Sequence, residues 1–491
     1  MVTRPAKLGS RMAAAAWVFA ALLAMSSVLI LNGRPLFYYD TVGYVDQGQT
    51  ALEKLGLLDR PDAEQAEAGQ AEGGAKVRTI DGSRSVFYSI LAGVANQLGL
   101  FEAILAVNVG ALLAATWLLA GIIHRTVAPL RSRAGLSSLP LIVASLGALP
   151  FYAAYLMPDL MTPVMILAFA TLAAFHRVMQ KGELAAAFLL GSLALISHLS
   201  NLGVGALMVL GVAMVSMAQS RARWWLAPLI VAAVVGVGFA QQAALRLAAE
   251  KADGASVVIK PFITARLIAD GPGFEWLQSH CPDAAVPTCS LWTALQKSDD
   301  PYRLTASHIV FETSERLGSF RLMSDVEQKA VADAQVAFFK TVLRDRPVAV
   351  TLALLRNTLK QSTMMNIDMT LPSDQIIAQN ISVTGAISGP LSHGRLTADL
   401  GWVGDVVQGQ GIVYVGSLAV VMTLLLLPGA VAPSMRAFAV AIVLGLLANA
   451  FVCGAISQPA TRYGARVIWL LPMLAGLMLM VASQRRDEAA R

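Results

Sequence analysis

The sequence predicts an all-α polytopic membrane protein of about ten transmembrane helices, carrying a mainly helical domain outside the membrane. Three observations predict it. The 491 residues are 56% hydrophobic and 14% charged, where a soluble protein carries about a quarter charged residues, and mean hydropathy is +0.62. Apolar runs close to the ~20 residues that cross a bilayer recur along the chain. Basic residues lie in short clusters between those runs, the pattern of cytoplasmic loops. The net charge of +6 therefore reports topology rather than a nucleic-acid-binding face, and no nucleic acid partner is expected.

In order, the runs are 13–32, 101–123, 137–156, 159–178, 183–199, 201–218, 224–246, 409–428, 437–457 and 466–484. The first is too long for a cleavable signal and lacks a clear small-residue cleavage site, so it reads as a span. Arg4, Lys7 and Arg11 put the N-terminus on the cytoplasmic side. Alternation from there keeps Arg125, Arg131, Arg133, Arg177, Lys181, Arg221, Arg223, Arg436, Arg485 and Arg486 inside. Both termini are then cytoplasmic, and two large segments, 33–100 and 247–408, fall outside. The chain divides into a transmembrane module 1–246, an extracytoplasmic (periplasmic) domain 247–408 and C-terminal transmembrane helices 409–491.

In the first outer loop, 41–57 reads as a helix and the Ala-, Glu- and Gly-rich 59–76 as a flexible hairpin. Residues 83–100 read as an apolar helix lying flat at the interface, with Phe87 and Tyr88 at headgroup level, because counting it as a span would invert every later loop. The outer domain should hold a helix at 325–344 and an interfacial helix at 347–364. Cys281 and Cys289, close together in a polar stretch, read as a disulfide in an oxidising compartment. Cys453, in an apolar run, reads as a small core hydrophobe.

Four polar places stand at span ends, and the alternation puts all four outside. In FYYDTVGYVDQG (37–48), Asp40, Tyr44 and Gln47 share one face of a helix starting there. Asp40 is a helix N-cap or a catalytic acid, and the roles are not exclusive. In YLMPDLMTP (155–163), Asp159 either opposes a helix dipole or joins a site with Thr162. In ISHLSNLG (196–203), His198, Ser200 and Asn201 form either a capped turn or a group that binds phosphate or a hydroxyl. Arg462, beside Tyr463, is an interfacial anchor or a phosphate ligand whose fork forms two parallel hydrogen bonds. Arg84 has the same two readings. Walker, dinucleotide, HExxH and GxSxG patterns are all absent from the sequence, so cytoplasmic nucleotide chemistry has no visible machinery.

A family resemblance rests on the order of these features. An acid follows the first span in FYYDTVGYVDQG; RSVFYSILAG leads into the flat helix; MPDLMTP bears an acid in a short outer turn; RYGARVIWLLP closes the chain. This layout resembles the GT-C glycosyltransferases that use polyprenyl-phosphate sugars, such as protein mannosyltransferases and lipid A aminoarabinose transferases. It covers roughly the first 180 residues and, more loosely, the last 35. The resemblance implies a GT-C-like fold and an inverting transferase at the outer face of a bacterial inner membrane. It would move a sugar from a polyprenyl-phosphate donor to a lipid, glycan or protein acceptor. Asp40 would be the general base, Asp159 a second acid of the site, and Arg84 and Arg462 the donor-phosphate ligands. Tyr44, Tyr88, His198 and Tyr463 complete the expected substrate-binding set. Phe87 stands where the family has proline before the tyrosine. No D-x-D pair occurs in the first loop, because Asp46 is six residues from Asp40. A divalent cation is therefore left open and no metal ligand is assigned. The segment 247–408 has no counterpart. Two rival classes are a transporter or flippase of lipid-linked saccharides, which calls for ionisable groups deep in the spans, and a non-catalytic scaffold, which calls for no lipid-phosphate site.

Overall fold

The computed structural model describes residues 5–58, 79–220, 222–314, 318–383 and 391–489; the hairpin expected at 59–76 lies outside them. The fold is helical. Seven helices among the described residues are long and apolar enough to cross a membrane: Glu102–Thr126, Pro158–Phe175, Leu199–Gln219, Leu226–Lys251, Val403–Leu426, Pro433–Ser457 and Thr461–Gln484. Phe19, Leu210, Phe239 and Ile412 point outward from the bundle, as side chains facing lipid do.

The other three apolar runs form shorter pieces. Run 13–32 becomes Pro5–Met25 and Ser27–Asn32, and run 183–199 becomes the 17-residue Lys181–Ser197. Run 137–156, expected as one span, is broken into Arg133–Ala144 and Leu149–Ala153. The cause is local. Pro140 and Pro150 weaken the helical ladder, and the amide of Ala148 donates instead to the Tyr414 hydroxyl at 2.9 Å. That side chain satisfies a backbone group that apolar surroundings would leave costly.

The basic loops meet one another at one end of the bundle. Arg125 donates to Glu183 at 2.6 and 2.8 Å and to the Val178 carbonyl at 2.9 Å. Arg177 donates to the Ala222 carbonyl at 2.6 Å, and Arg131 to Ser483 at 2.8 Å. Each guanidinium closes off carbonyls or hydroxyls at a helix terminus.

The expected helix at 41–57 spans Tyr39–Lys54, and the apolar helix expected at 83–100 spans Val86–Gln97. Tyr88 departs from expectation. It is fully buried, edge-to-face with Tyr44 at 5.2 Å between ring centroids, because the 86–97 helix packs this face onto the 39–54 helix rather than onto headgroups. Strand β1, Thr79–Asp81, pairs in parallel with β2, Ser256–Val258, and so ties the first loop to the later domain. A separate apolar core built around Leu267, Trp276, Leu291, Ile309 and Phe338 holds that domain together. Its helices include Asp325–Asp345 and Pro347–Thr363. Cys281 and Cys289 are joined, with S–S 2.00 Å and Cα–Cα 5.6 Å.

Candidate functional site

At the end of the bundle away from the basic loops, residues from five distant segments converge. Asp40 lies in the first turn of the 39–54 helix, but it is not the cap. Tyr38 holds the N-cap position, and its amide donates to Thr41 Oγ1 at 3.0 Å. The carboxylate is thereby free for other partners. Its Oδ1 meets Arg84 Nη2 at 3.4 Å, and its Oδ2 meets Arg462 Nη1 and Nη2 at 3.3 and 3.4 Å. The glycine of the DTVGY stretch makes room for this. A Cβ on Gly43 would stand 2.4 Å from Arg84 Cζ, so the guanidinium lies across the bare backbone.

Arg84 is held from its other side by Asp81, with Nη1 to Oδ2 at 3.4 Å. Asp81 in turn receives Lys260 Nζ, and its carbonyl accepts from Gln47 Nε2 at 3.1 Å. Burial would push Asp40 upward, but Arg462 and Arg84 outweigh it and hold the carboxyl below its ordinary range. Asp81 behaves the same way: burial opposes ionisation, and Lys260 and then Arg84 prevail.

Arg462 opens the last long helix and is 5% exposed. Its guanidinium carbon sits 4.5 Å from the Tyr38 ring centroid and 5.1 Å from that of Tyr463, within cation–π range. The Tyr152 hydroxyl donates to the Arg462 carbonyl at 2.5 Å. One turn further on stands Arg466, fully buried. It donates to Asn449 Oδ1 from Nε at 3.1 Å and from Nη2 at 2.8 Å, and to Ser200 Oγ at 3.1 Å. Its Nη1 reaches Asp159 Oδ1 at 3.5 Å, and Arg462 Nε stands 3.9 Å from the same oxygen. Asp159 Oδ2 and Arg462 Nε are both buried without a hydrogen-bond partner.

The structure thus brings Asp40, Arg84, Asp159, Arg462 and Tyr463 into one cluster. His198 joins it indirectly: its Nδ1 lies 2.9 Å from Ser200 Oγ, which contacts Arg466. Tyr44 lies one turn after Asp40 on the same helix, buried against Tyr88. Tyr88 is set behind Tyr44, where Asn108 Nδ2 donates to its hydroxyl at 3.3 Å, so it supports that helix from the protein interior. Thr162 and Asn201 bond each other at 2.7 Å. Among the described residues, no three His, Cys, Asp or Glu side chains converge as metal ligands.

Sequence reasoning passed over Arg466, Asn449, Asp81 and Lys260. The first carried a usable signal. An arginine four residues after Arg462, inside an otherwise apolar run, is costly unless paired and functional.

These features define a helical membrane-type chain with a charged, partly open cluster at one end. No protein-family model matches the chain, and no curated protein matches it in sequence. Two solved structures compare with it. The crystal structure of ArnT from Cupriavidus metallidurans bound to undecaprenyl phosphate gives a TM-score of 0.32 at 11% identity, covering 97% of this chain and 78% of that one. The same protein in its apo state gives 0.31 at 13% identity, covering 98% and 79%. TM-scores of that size leave fold and site to be judged on this chain's own residues.

Proposed function

We propose that the chain is a multi-pass membrane glycosyltransferase of GT-C type that moves a sugar from a polyprenyl-phosphate donor to a lipid, glycan or protein hydroxyl, with inversion. One observation carries the reading: the carboxylate of Asp40, one-third exposed, lies between two guanidiniums brought from opposite ends of the chain. A base for the acceptor and two forks for a phosphate therefore share one opening. In this reading the chain has about ten spans and both termini are cytoplasmic. The cluster and residues 247–408 face the periplasm of a bacterial inner membrane. The separate spans 1–246 and 409–491 supply the two halves of the site.

In the resting protein Asp40 fills the place of an anion. A donor phosphate arriving between Arg462 and Arg84 takes over their N–H groups, which donate bidentately to such oxygens. The carboxyl then loses its compensating charge, its pKa climbs, and it becomes a better base for the acceptor O–H. The acceptor oxygen attacks the anomeric carbon as its proton passes to Asp40. The carbon–oxygen bond to phosphate breaks, and polyprenyl phosphate leaves with the electron pair, its charge stabilised by the same arginines. Asp159 and Arg466 hold Arg462 in place. Tyr463 and His198 line the approach for sugar and acceptor, while Tyr44 and, through it, Tyr88 hold the Asp40 helix from the interior.

A structure with a polyprenyl-phosphate sugar tests this. The reading requires phosphate between Arg462 and Arg84, with Asp40 facing the same space. Phosphate bound elsewhere, or no binding, overturns it.

A further inference from the structure

A second feature lies apart from the charged cluster. A cavity of about 270 Å³ opens between the 256–363 domain and the last two turns of the 433–457 helix. Its walls include Leu267, Phe339, Val350, Ala353, Phe451 and Ile456, almost all apolar. Residues 451–457, wound as a π-helix, line it opposite side chains of the Pro347–Thr363 helix. A Cβ on Gly454 would fall 2.7 Å from the Asn357 carbonyl oxygen, so the helices touch there and part beyond it. The mostly apolar lining suits a hydrocarbon chain and not a sugar, whose hydroxyls would lose their hydrogen bonds there.

Two observations place this opening at the membrane boundary. Its floor is the end of a helix apolar enough to cross a bilayer. On the outer side of the 347–363 helix, Val348, Leu352, Leu355 and Leu359 form an apolar stripe, each more than half exposed, at the spacing of one helix face. The polar edge carries a surplus of positive charge. Asp270 pairs with Arg266, accepts from Asn357 Nδ2 at 2.6 Å and lies 3.8 Å from Arg356. Two guanidiniums thus face one carboxylate. Arg266 Nε is buried without a hydrogen-bond partner, and the Arg356 side chain is 67% exposed.

We propose that this cavity binds one acyl chain of an anionic phospholipid from the adjoining leaflet, with the lipid phosphate on Arg356 and Arg266. The bound lipid would fasten the outer domain to the membrane at a fixed height. The inference stands on residues outside the charged cluster and does not depend on the transferase reading.

The full-length chain in nanodiscs containing phosphatidylglycerol, with a diazirine near the end of one acyl chain, provides the test. Irradiation should place the label on peptides containing Phe451–Ile456 and Leu267. Ala353→Phe, which fills the cavity, should lower that labelling by about tenfold and leave labelling of Leu352 and Leu355 on the outer stripe unchanged. Ile263 also lines the cavity and is partly exposed; Ile263→Trp fills the same space and serves if the first variant does not fold by gel filtration. Arg356→Gln should give a smaller drop, about twofold to tenfold. Labelling confined to the outer stripe, or insensitive to both filling variants, overturns the proposal. Displacement by equimolar polyprenyl phosphate also overturns it, since the site would then belong to that carrier. Polyprenyl-phosphate binding measured on the same variants should not change, which separates this result from the fate of the transferase reading.

Discussion

Arg462 and Arg466 stand one turn apart on one helix and face two carboxylates, yet their surroundings differ sharply. Arg462 pairs with an acid that is 32% exposed and has aromatic rings on its flanks. Arg466 pairs with an acid that is 0% exposed, and its remaining hydrogens are spent on Asn449 and Ser200. The first pair has an open side and, on Arg462, a buried Nε with no partner. The second is closed to solvent, and its guanidinium has further partners although Asp159 Oδ2 has none. The difference separates an arginine able to exchange its anion from one fixed as structure. A buried pair cannot be opened cheaply, because each lone charge would then be desolvated without compensation.

The largest expected effect is on the open side. Asp40→Asn should cut sugar transfer by about 10²–10⁴-fold in a reconstituted assay while keeping or tightening binding of polyprenyl phosphate, since the resident anion is gone. An active Asp40→Asn protein would break the comparison at its first point. Next comes the closed side. Arg466→Met leaves buried Asp159 with only the distant Arg462 at 3.9 Å and should cost about 3–5 kcal/mol of stability, read as a fall in the detergent melting temperature. Asp159→Asn in the same chain should recover much of it. Arg462→Met should instead stay folded and lose phosphate binding; if it unfolds and Arg466→Met does not, the assignment is reversed.

Arg84→Gln should weaken phosphate binding by roughly ten- to hundredfold, the loss of one charged hydrogen-bond donor, with little effect on folding. The smallest effect is on pH dependence. Asp40 and Asp81 have folded pKa values held below the unfolded ones. Their contribution is therefore complete above the ordinary carboxylate range and is lost as pH falls through the depressed values. Thermal stability should stay flat from neutral pH to about pH 5 and decline only below about pH 4. A decline that begins near neutrality would point to a different titrating group.

Much of this could be read in the residues because charge in an apolar chain is conspicuous. Asp40, Asp159 and Arg462 mark themselves by standing at the ends of apolar runs, and the basic loops mark the opposite end. Other features needed three dimensions. That Tyr38 rather than Asp40 occupies the cap position depends on a shift of two residues, within the usual ambiguity of helix ends. The inward turn of Tyr88 follows from packing against Tyr44, a contact no local pattern announces. Asn449 is one polar residue in a long apolar run and gains meaning only when Arg466 crosses it. Asp81 and Lys260 are 179 residues apart and become partners only through the β1–β2 pairing.

The same pairing has a consequence for how the protein is made. Asp40 and Arg462 are separated by 422 residues. At about 5–20 residues per second, the ribosome needs roughly 20–85 s after Asp40 to supply its last partner. During that interval Arg84 and Asp81 are already present, and Lys260 arrives midway and secures β1 against β2. Asp159 and Ser200 arrive before Lys260, and only Arg462 and Arg466, delivered by the Thr461–Gln484 helix, complete the cluster. A chain stopped before that helix would leave Asp40 with Arg84 alone.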